Sequence, residues 1–287
     1  MIAHVAEAGE ARGRVVLRFC AGAPNRTAIT AAFSIAQAFQ SEIESLYVED
    51  NQLLDLAAFP FATEISLTGK ERRRLSPALV HSAFQSAFVA ARRQVADAAR
   101  VADVPLVERF VCDEPVHALA SACAQTGPWN VVAIAEAFDS MSCAKLCELF
   151  DTVSDTTAVI LAGPNSQRTS GPIVVAVEDL ERFPGMFRAA DRLASLTEAP
   201  IVLVILSLSR SELYRMNREI RQFVADRSDV RLVPAVAISG DSAAAAETIR
   251  TIRGGFLIAH FGSIVVPRMG DLRPLVSALE CPLLLVR

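Results

Sequence analysis

The residues that could do chemistry are few and scattered along this chain. Glu178 and Asp179 are adjacent acids at the end of an apolar run. Acid–base work needs carboxylates that reach one substrate atom, and neighbours on an extended strand end point to opposite sides. The pair therefore reads as a turn and helix start. Six cysteines, Cys20, Cys112, Cys123, Cys143, Cys147 and Cys281, show neither zinc-type CxxC spacing nor a paired framework. Cys143 and Cys147 are one helical turn apart, which fits a redox switch or, more simply, two small apolar residues on a packed helix face. The histidines, His4, His81, His117 and His260, fall in unrelated elements, so no metal constellation is predicted. No G-x-S-x-G elbow, H-E-x-x-H pair, Gly-Lys-Ser P-loop or G-x-G-x-x-G turn is present. The segment Ala21-Gly22-Ala23-Pro24-Asn25 offers one glycine where a Ser-Gly-Gly phosphate loop would need more. The expectation is a protein that is not an enzyme.

Composition sets the remaining bounds. At 287 residues the chain has room for about two domains. Its 52% hydrophobic content with 6% aromatics predicts aliphatic cores. The longest strongly apolar run, 200–206, is far short of the roughly 20 residues that cross a bilayer, so no membrane span is expected. Met1 to Glu10 lacks a basic start and an apolar segment, which predicts a cytoplasmic protein. Residues 1–163 carry 13 basic and 19 acidic side chains, and residues 164–287 carry 15 and 13. Neither part has the basic excess that nucleic acid requires. The dense cluster Lys70-Glu71-Arg72-Arg73-Arg74 reads as a solvated segment before a helix.

The elements that must position these residues occur twice. At an offset of 158, Gly13-Arg14-Val15-Val16-Leu17 lies over Gly171-Pro172-Ile173-Val174-Val175, and residues 43–48 lie over 201–206. At an offset of 126, residues 104–107 lie over 230–233 and 131–133 over 257–259. Apolar periodicity predicts strands near 14–20, 42–48, 106–112, 130–135 and 157–162, alternating with helices near 27–40, 77–101, 116–126 and 144–153. The second copy repeats this with strands near 173–177, 201–206, 230–236, 256–260 and 282–286, and helices near 185–196, 211–226, 242–252 and 271–280. Alternation of this kind gives an α/β fold of parallel sheets covered on both faces. The first copy is longer by an insertion near 49–76, and residues 163–172 read as an exposed Gly/Pro/Ser/Asn connector between domains 1–163 and 164–287.

Five strands in this order, a helix-bearing connection after the second, the segment Leu46-Tyr47-Val48-Glu49 and the closing Leu279-Glu280-Cys281-Pro282 with its last strand to Arg287 resemble the universal stress protein family. The resemblance covers about 13–287 as a tandem pair. It implies two doubly wound five-stranded sheets of order 3-2-1-4-5, flanked by helices and packed as a pseudo-dimer. It also implies where a nucleotide would sit: an acid ends the first strand, and a G-x2-G-x9-G-[ST] loop follows the fourth. Backbone N–H groups of such a loop face phosphate.

The first copy ends its strand at Phe19-Cys20 without an acid, and Glu136 and Asp139 follow its fourth strand where the glycines should be. The second copy keeps more, with Glu178 after its first strand and Gly262 and Gly270 after its fourth. Its glycine spacing is short, and Asp271 stands where Ser or Thr belongs, a carboxylate that would cap its own helix in place of phosphate. Residues 263–267 between those glycines are apolar and suit a buried contact with another chain or the other copy, or a cover for the sheet edge, better than a phosphate cradle. The expectation is a stress-response or signalling protein without a cofactor, its nucleotide pockets degenerate, acting on a protein partner or as a homo-oligomer. An ATP or AMP sensor confined to the second copy is the alternative. The partner contact is predicted at Leu53, Leu54, Leu56, Phe59 and Phe61, too apolar for an ordinary loop, although a helix folded over its own sheet would read the same way.

Overall fold

The computed structural model describes residues 13–20, 22–66, 68–124, 129–136, 143–154, 156–207, 209–234, 247, 249–269 and 272–287. Asp139, Gly270, Asp271 and most of the helix expected over 242–252 lie outside the described residues. The first half runs β1 (Arg14–Phe19), α1 (Arg26–Ala38), β2 (Glu42–Asp50), α2 (Asn51–Ala58), β3 (Thr63–Ile65), β4 (Arg72–Arg74), α3 (Pro77–Ala102), β5 (Leu106–Asp113), α4 (Pro115–Ala124), β6 (Asn130–Ile134), α5 (Cys143–Thr152) and β7 (Thr156–Leu161). The second runs β8 (Ile173–Val177), α6 (Phe183–Thr197), β9 (Ile201–Ile205), α7 (Arg210–Phe223), β10 (Val230–Pro234), β11 (Phe256–His260), α8 (Arg273–Ala278) and β12 (Leu283–Val286).

Strands such as β8 and β9 form because their runs are apolar at every position, the mark of a sheet covered on both sides. All five residues of β6, of β8 and of β9 are buried. Helix starts are equally local. Asn25 Oδ1 accepts the N–H groups of Thr27 and Ala28 at 2.9 and 3.2 Å, Asp50 does the same for α2, and Ser76 with Pro77 opens α3. Each half has the order 3-2-1-4-5, and the two join into one sheet of ten strands, β10-β9-β8-β11-β12-β7-β6-β1-β2-β5. Within each half the pairing is parallel, while β12 pairs antiparallel with β7, Leu283 opposite Leu161 and Val286 opposite Ala158. What the sequence leaves as two packed sheets is continuous, because the free edges of the two fifth strands satisfy each other.

Helices α1, α3, α6 and α7 bury their apolar faces on one side of this sheet, and α4, α5 and α8 cover the other. The halves also meet through α1 and α6, where the Arg192 guanidinium lies 4.9 Å from the centre of the Phe39 ring. The insertion holds a feature that the sequence reading missed: β3 and β4 form a small antiparallel hairpin, and the arginines 72–74 are its exposed second strand. Three consecutive charges carry no apolar alternation, so nothing in the pattern marks a strand there.

The connector is exposed at most positions, but Ser166 is buried, which corrects the expectation of a plain surface linker. Its hydroxyl accepts the Gly163 N–H at 3.0 Å and lies 3.1 Å from the Cys281 carbonyl, while its own carbonyl accepts the Thr27 hydroxyl at 2.6 Å. One residue thus ties α1 to the end of the second half. Gly163 has no room for a side chain, since a Cβ there would lie 2.1 Å from the Val276 carbonyl oxygen in α8. Gly163→Ala is expected to lower stability by on the order of 3 kcal/mol, read as a fall in the urea unfolding midpoint.

Candidate functional site

In an open parallel sheet, ligands bind beyond the carboxyl ends of the strands where the winding reverses. Here those places are the crossing between β1 and β6 and the crossing between β8 and β11. Main-chain N–H groups freed by the diverging loops collect at such points, and they need an acceptor.

At the first crossing the acceptor is Glu136. Its carboxylate takes the Cys20 N–H and lies 3.3 Å from the Arg18 guanidinium. The loop after β1 folds down onto it, with Asn25 N–H on the Ala135 carbonyl at 2.6 Å and an antiparallel bridge between Pro24 and Glu136. Gly22 is pressed against the same side chain, for a Cβ there would come within 2.6 Å of Glu136 Cγ. Glu136, which stands where the sequence lacks the expected glycines, satisfies an amide of its own chain. Burial pushes the Cys20 thiol up to about 12, with Arg18 opposing the shift and Glu136, Asp50 and Glu114 reinforcing it. A thiol held protonated is a poor nucleophile.

The second crossing has the same device with the roles of the strands exchanged. Glu178 follows β8 and reaches across to the loop after β11, where its carboxylate accepts the Ile264 N–H and, at 3.0 Å, the Val265 N–H. Burial raises its pKa, and these two amides with the Ser263 hydroxyl pull the other way. The loop is curled tightly enough to aim both amides at one group. Gly262 adopts a positive φ of 92° and donates to the Val266 carbonyl at 2.8 Å, and Ser263 Oγ accepts the Val266 N–H at 3.0 Å. Val265 and Val266 are fully buried against their own half, so this stretch is core. Asp179 points elsewhere, accepting the Glu181 N–H at 2.8 Å in the turn that leads to α6.

His260 closes β11 beside this loop. Burial, helped by Arg182 and Arg268 and opposed by Asp179, drives its pKa from 6.5 down to about 4. Among the described residues no group of three His, Cys, Asp or Glu side chains could hold a metal ion, and no helix is long and apolar enough to cross a membrane. Two surface clefts lie away from the crossings, one at the end of α6 beside Pro200 and Asp229, the other between β2, α3 and β5 around Tyr47, Phe88 and Phe110.

The predicted partner segment divides. Leu53 and Leu54 pack on the core from α2, whereas Leu56 and Phe59 are each 50% exposed and Phe61 75% exposed. The rings of Phe59 and Phe61 stack on each other at 5.5 Å, with exposed Ile65 beyond them in the hairpin.

The His260 shift fixes the sign of a pH effect. The unfolded imidazole protonates near 6.5 and the folded one resists to about 4, so its contribution is present above pH 6.5 and lost as pH falls toward 4. Glu178, with its raised pKa, acts in the opposite sense, its contribution being lost as pH rises through its folded pKa. Proton NMR is expected to show one imidazole still neutral at pH 5, and His260→Gln to flatten the fall in unfolding midpoint between pH 6.5 and 4.

No protein-family model matches the sequence, and no curated protein matches it. Among solved structures the chain is similar to a universal stress protein from Archaeoglobus fulgidus DSM 4304, at a TM-score of 0.60 and 12% identity, covering 96% of this chain and 97% of that one. It is similar also to a protein named as a universal stress protein from Pseudomonas aeruginosa UCBPP-PA14, at a TM-score of 0.57 and 16% identity, covering 96% and 93%. The strand order of both halves and this likeness over nearly the whole length agree: the chain has the fold of the universal stress proteins.

Proposed function

We propose that this is a universal-stress-type protein that works in stress response or signalling by association with a protein partner, without catalysis and without a bound nucleotide. The observation that carries the reading is that Glu178 takes two amides of the loop after β11, where a phosphate would need them, while Glu136 sets a carboxylate at the end of β6 in the first half. A triphosphate brought there would meet a like charge and would have to break those bonds first. The two universal stress proteins that share the fold supply the stress-related class. The absence of the glycine pattern in the sequence, and the divergence of Glu178 and Asp179 onto different partners, support a non-enzymatic role.

The second reading is an ATP or AMP sensor in the second half. It is favoured by the loop after β11, whose two aligned amides form an anion site that Glu178 fills from within the chain. Calorimetry with ATP and with AMP decides between the two. No binding heat is expected from the wild type up to millimolar nucleotide, and micromolar binding would overturn the preferred reading. Glu178→Ala frees the two amides, so nucleotide binding that appears in that variant alone would mark a site held shut by the chain itself.

The exposed side chains of the insertion are the surface assigned to the partner. Phe59→Ser and Phe61→Ser remove apolar area that already faces water, and each is expected to change stability by no more than about 0.5 kcal/mol. Leu53→Ser, which opens the core, should cost about 2 kcal/mol. Denaturant unfolding of the three variants tests that division.

A further inference from the structure

The sheet ends differently at its two edges. At one end β10 is five residues long and closes on Pro234, a residue that natural edge strands use to block pairing. At the other end β5 is eight residues long and pairs with β2 over its whole length, so it stays straight and extended. The Ile43 N–H bonds the Pro105 carbonyl at 2.9 Å, which sets the phase of this parallel ladder. Alternate residues turn both main-chain groups to one side. Leu106, Glu108, Phe110 and Cys112 therefore direct their N–H and C=O groups outward, and among the described residues no strand takes them. Apolar side chains flank this row on both faces. Phe110 is 51% exposed on the side of α3, Val89 of α3 is 48% exposed, and Val107 is 45% exposed on the opposite face.

We propose that β5 is a dimer edge, pairing antiparallel with β5 of a second molecule so that two ten-stranded sheets become one. With the twofold axis at Phe110 the strand pairs with itself without like charges directly opposite. The two Phe110 residues exchange main-chain bonds, Glu108 faces Cys112, and Arg109 faces Val111 with Asp113 on one diagonal and the second Arg109 on the other. Registers centred on Glu108 or on Arg109 would set like charges directly opposite. In the favoured register each Arg109 also keeps its own buried counter-ion, with its Nε 2.8 Å from Glu44 Oε1. The molecule already uses this kind of contact internally, for β7 and β12 close its two halves by antiparallel edge pairing. The proposal is independent of whether either crossing binds a nucleotide.

Light scattering across the micromolar range is expected to give twice the 30.8 kDa chain mass. Phe110→Asp places two like charges on the axis, and Cys112→Pro removes only an outward-facing N–H. Both should return the mass to that of one chain while the circular dichroism spectrum stays that of the wild type. Glu108→Cys, treated with copper–phenanthroline as oxidant, should form a disulfide with Cys112 of the second molecule and run as a covalent dimer, and untreated protein should not. A wild type that stays monomeric overturns the proposal and leaves the nucleotide and partner tests untouched. A dimer that survives both Phe110→Asp and Cys112→Pro overturns it too. So does one that Phe61→Ser dissociates, which would move the interface to the insertion.

Discussion

Antiparallel pairing of β7 with β12 is the contact on which the rest of the architecture depends. Each half on its own would present a fifth strand whose N–H and C=O groups face nothing, and unpaired edges are costly when buried and sticky when exposed. Joining them converts two edges into the centre of one sheet. The helices on each face then form two continuous layers, with α1 against α6 on one side and Ser166 wedged beneath the junction. The connector between the repeats is consequently a structural element, held by the Cys281 carbonyl, the Gly163 amide and the Thr27 hydroxyl.

That arrangement leaves two strand crossings, and both are closed by one physical means. Diverging loops leave amides without acceptors, and a carboxylate from the neighbouring strand end supplies one. In the first half the acid follows β6 and the amide follows β1, while in the second half the acid follows β8 and the amides follow β11. The two halves therefore reach the same closure from opposite strands. This is a consequence of where each half carries an acid at a strand end.

The apolar runs made most strands legible, because a strand buried on both faces must be apolar throughout, as residues 173–177 and 201–205 are. The long helix α3 was legible through Ser76, Pro77 and the buried stripe Val80, Phe84, Phe88, Ala91 and Val95. The hairpin of the insertion was hidden, since three-residue strands ending in consecutive arginines have no periodicity to read. The split of the insertion into inward Leu53 and Leu54 and outward Leu56, Phe59 and Phe61 was likewise beyond pattern, because it depends on how α2 lies over its neighbours.

Sequence alone determined the duplication, the order of elements and the missing phosphate glycines, because these rest on local spacing and on hydrophobic periodicity along the chain. It also placed Glu178 and Glu136 as acids at strand ends. Only the tertiary structure decided what those acids do, since Glu178 lies 87 residues from Val265 and Glu136 lies 116 from Cys20. A hydrogen bond between such distant groups is fixed by the register of the sheet. The joining of two sheets into one was decided in the same way, by which edges the fold left free to meet.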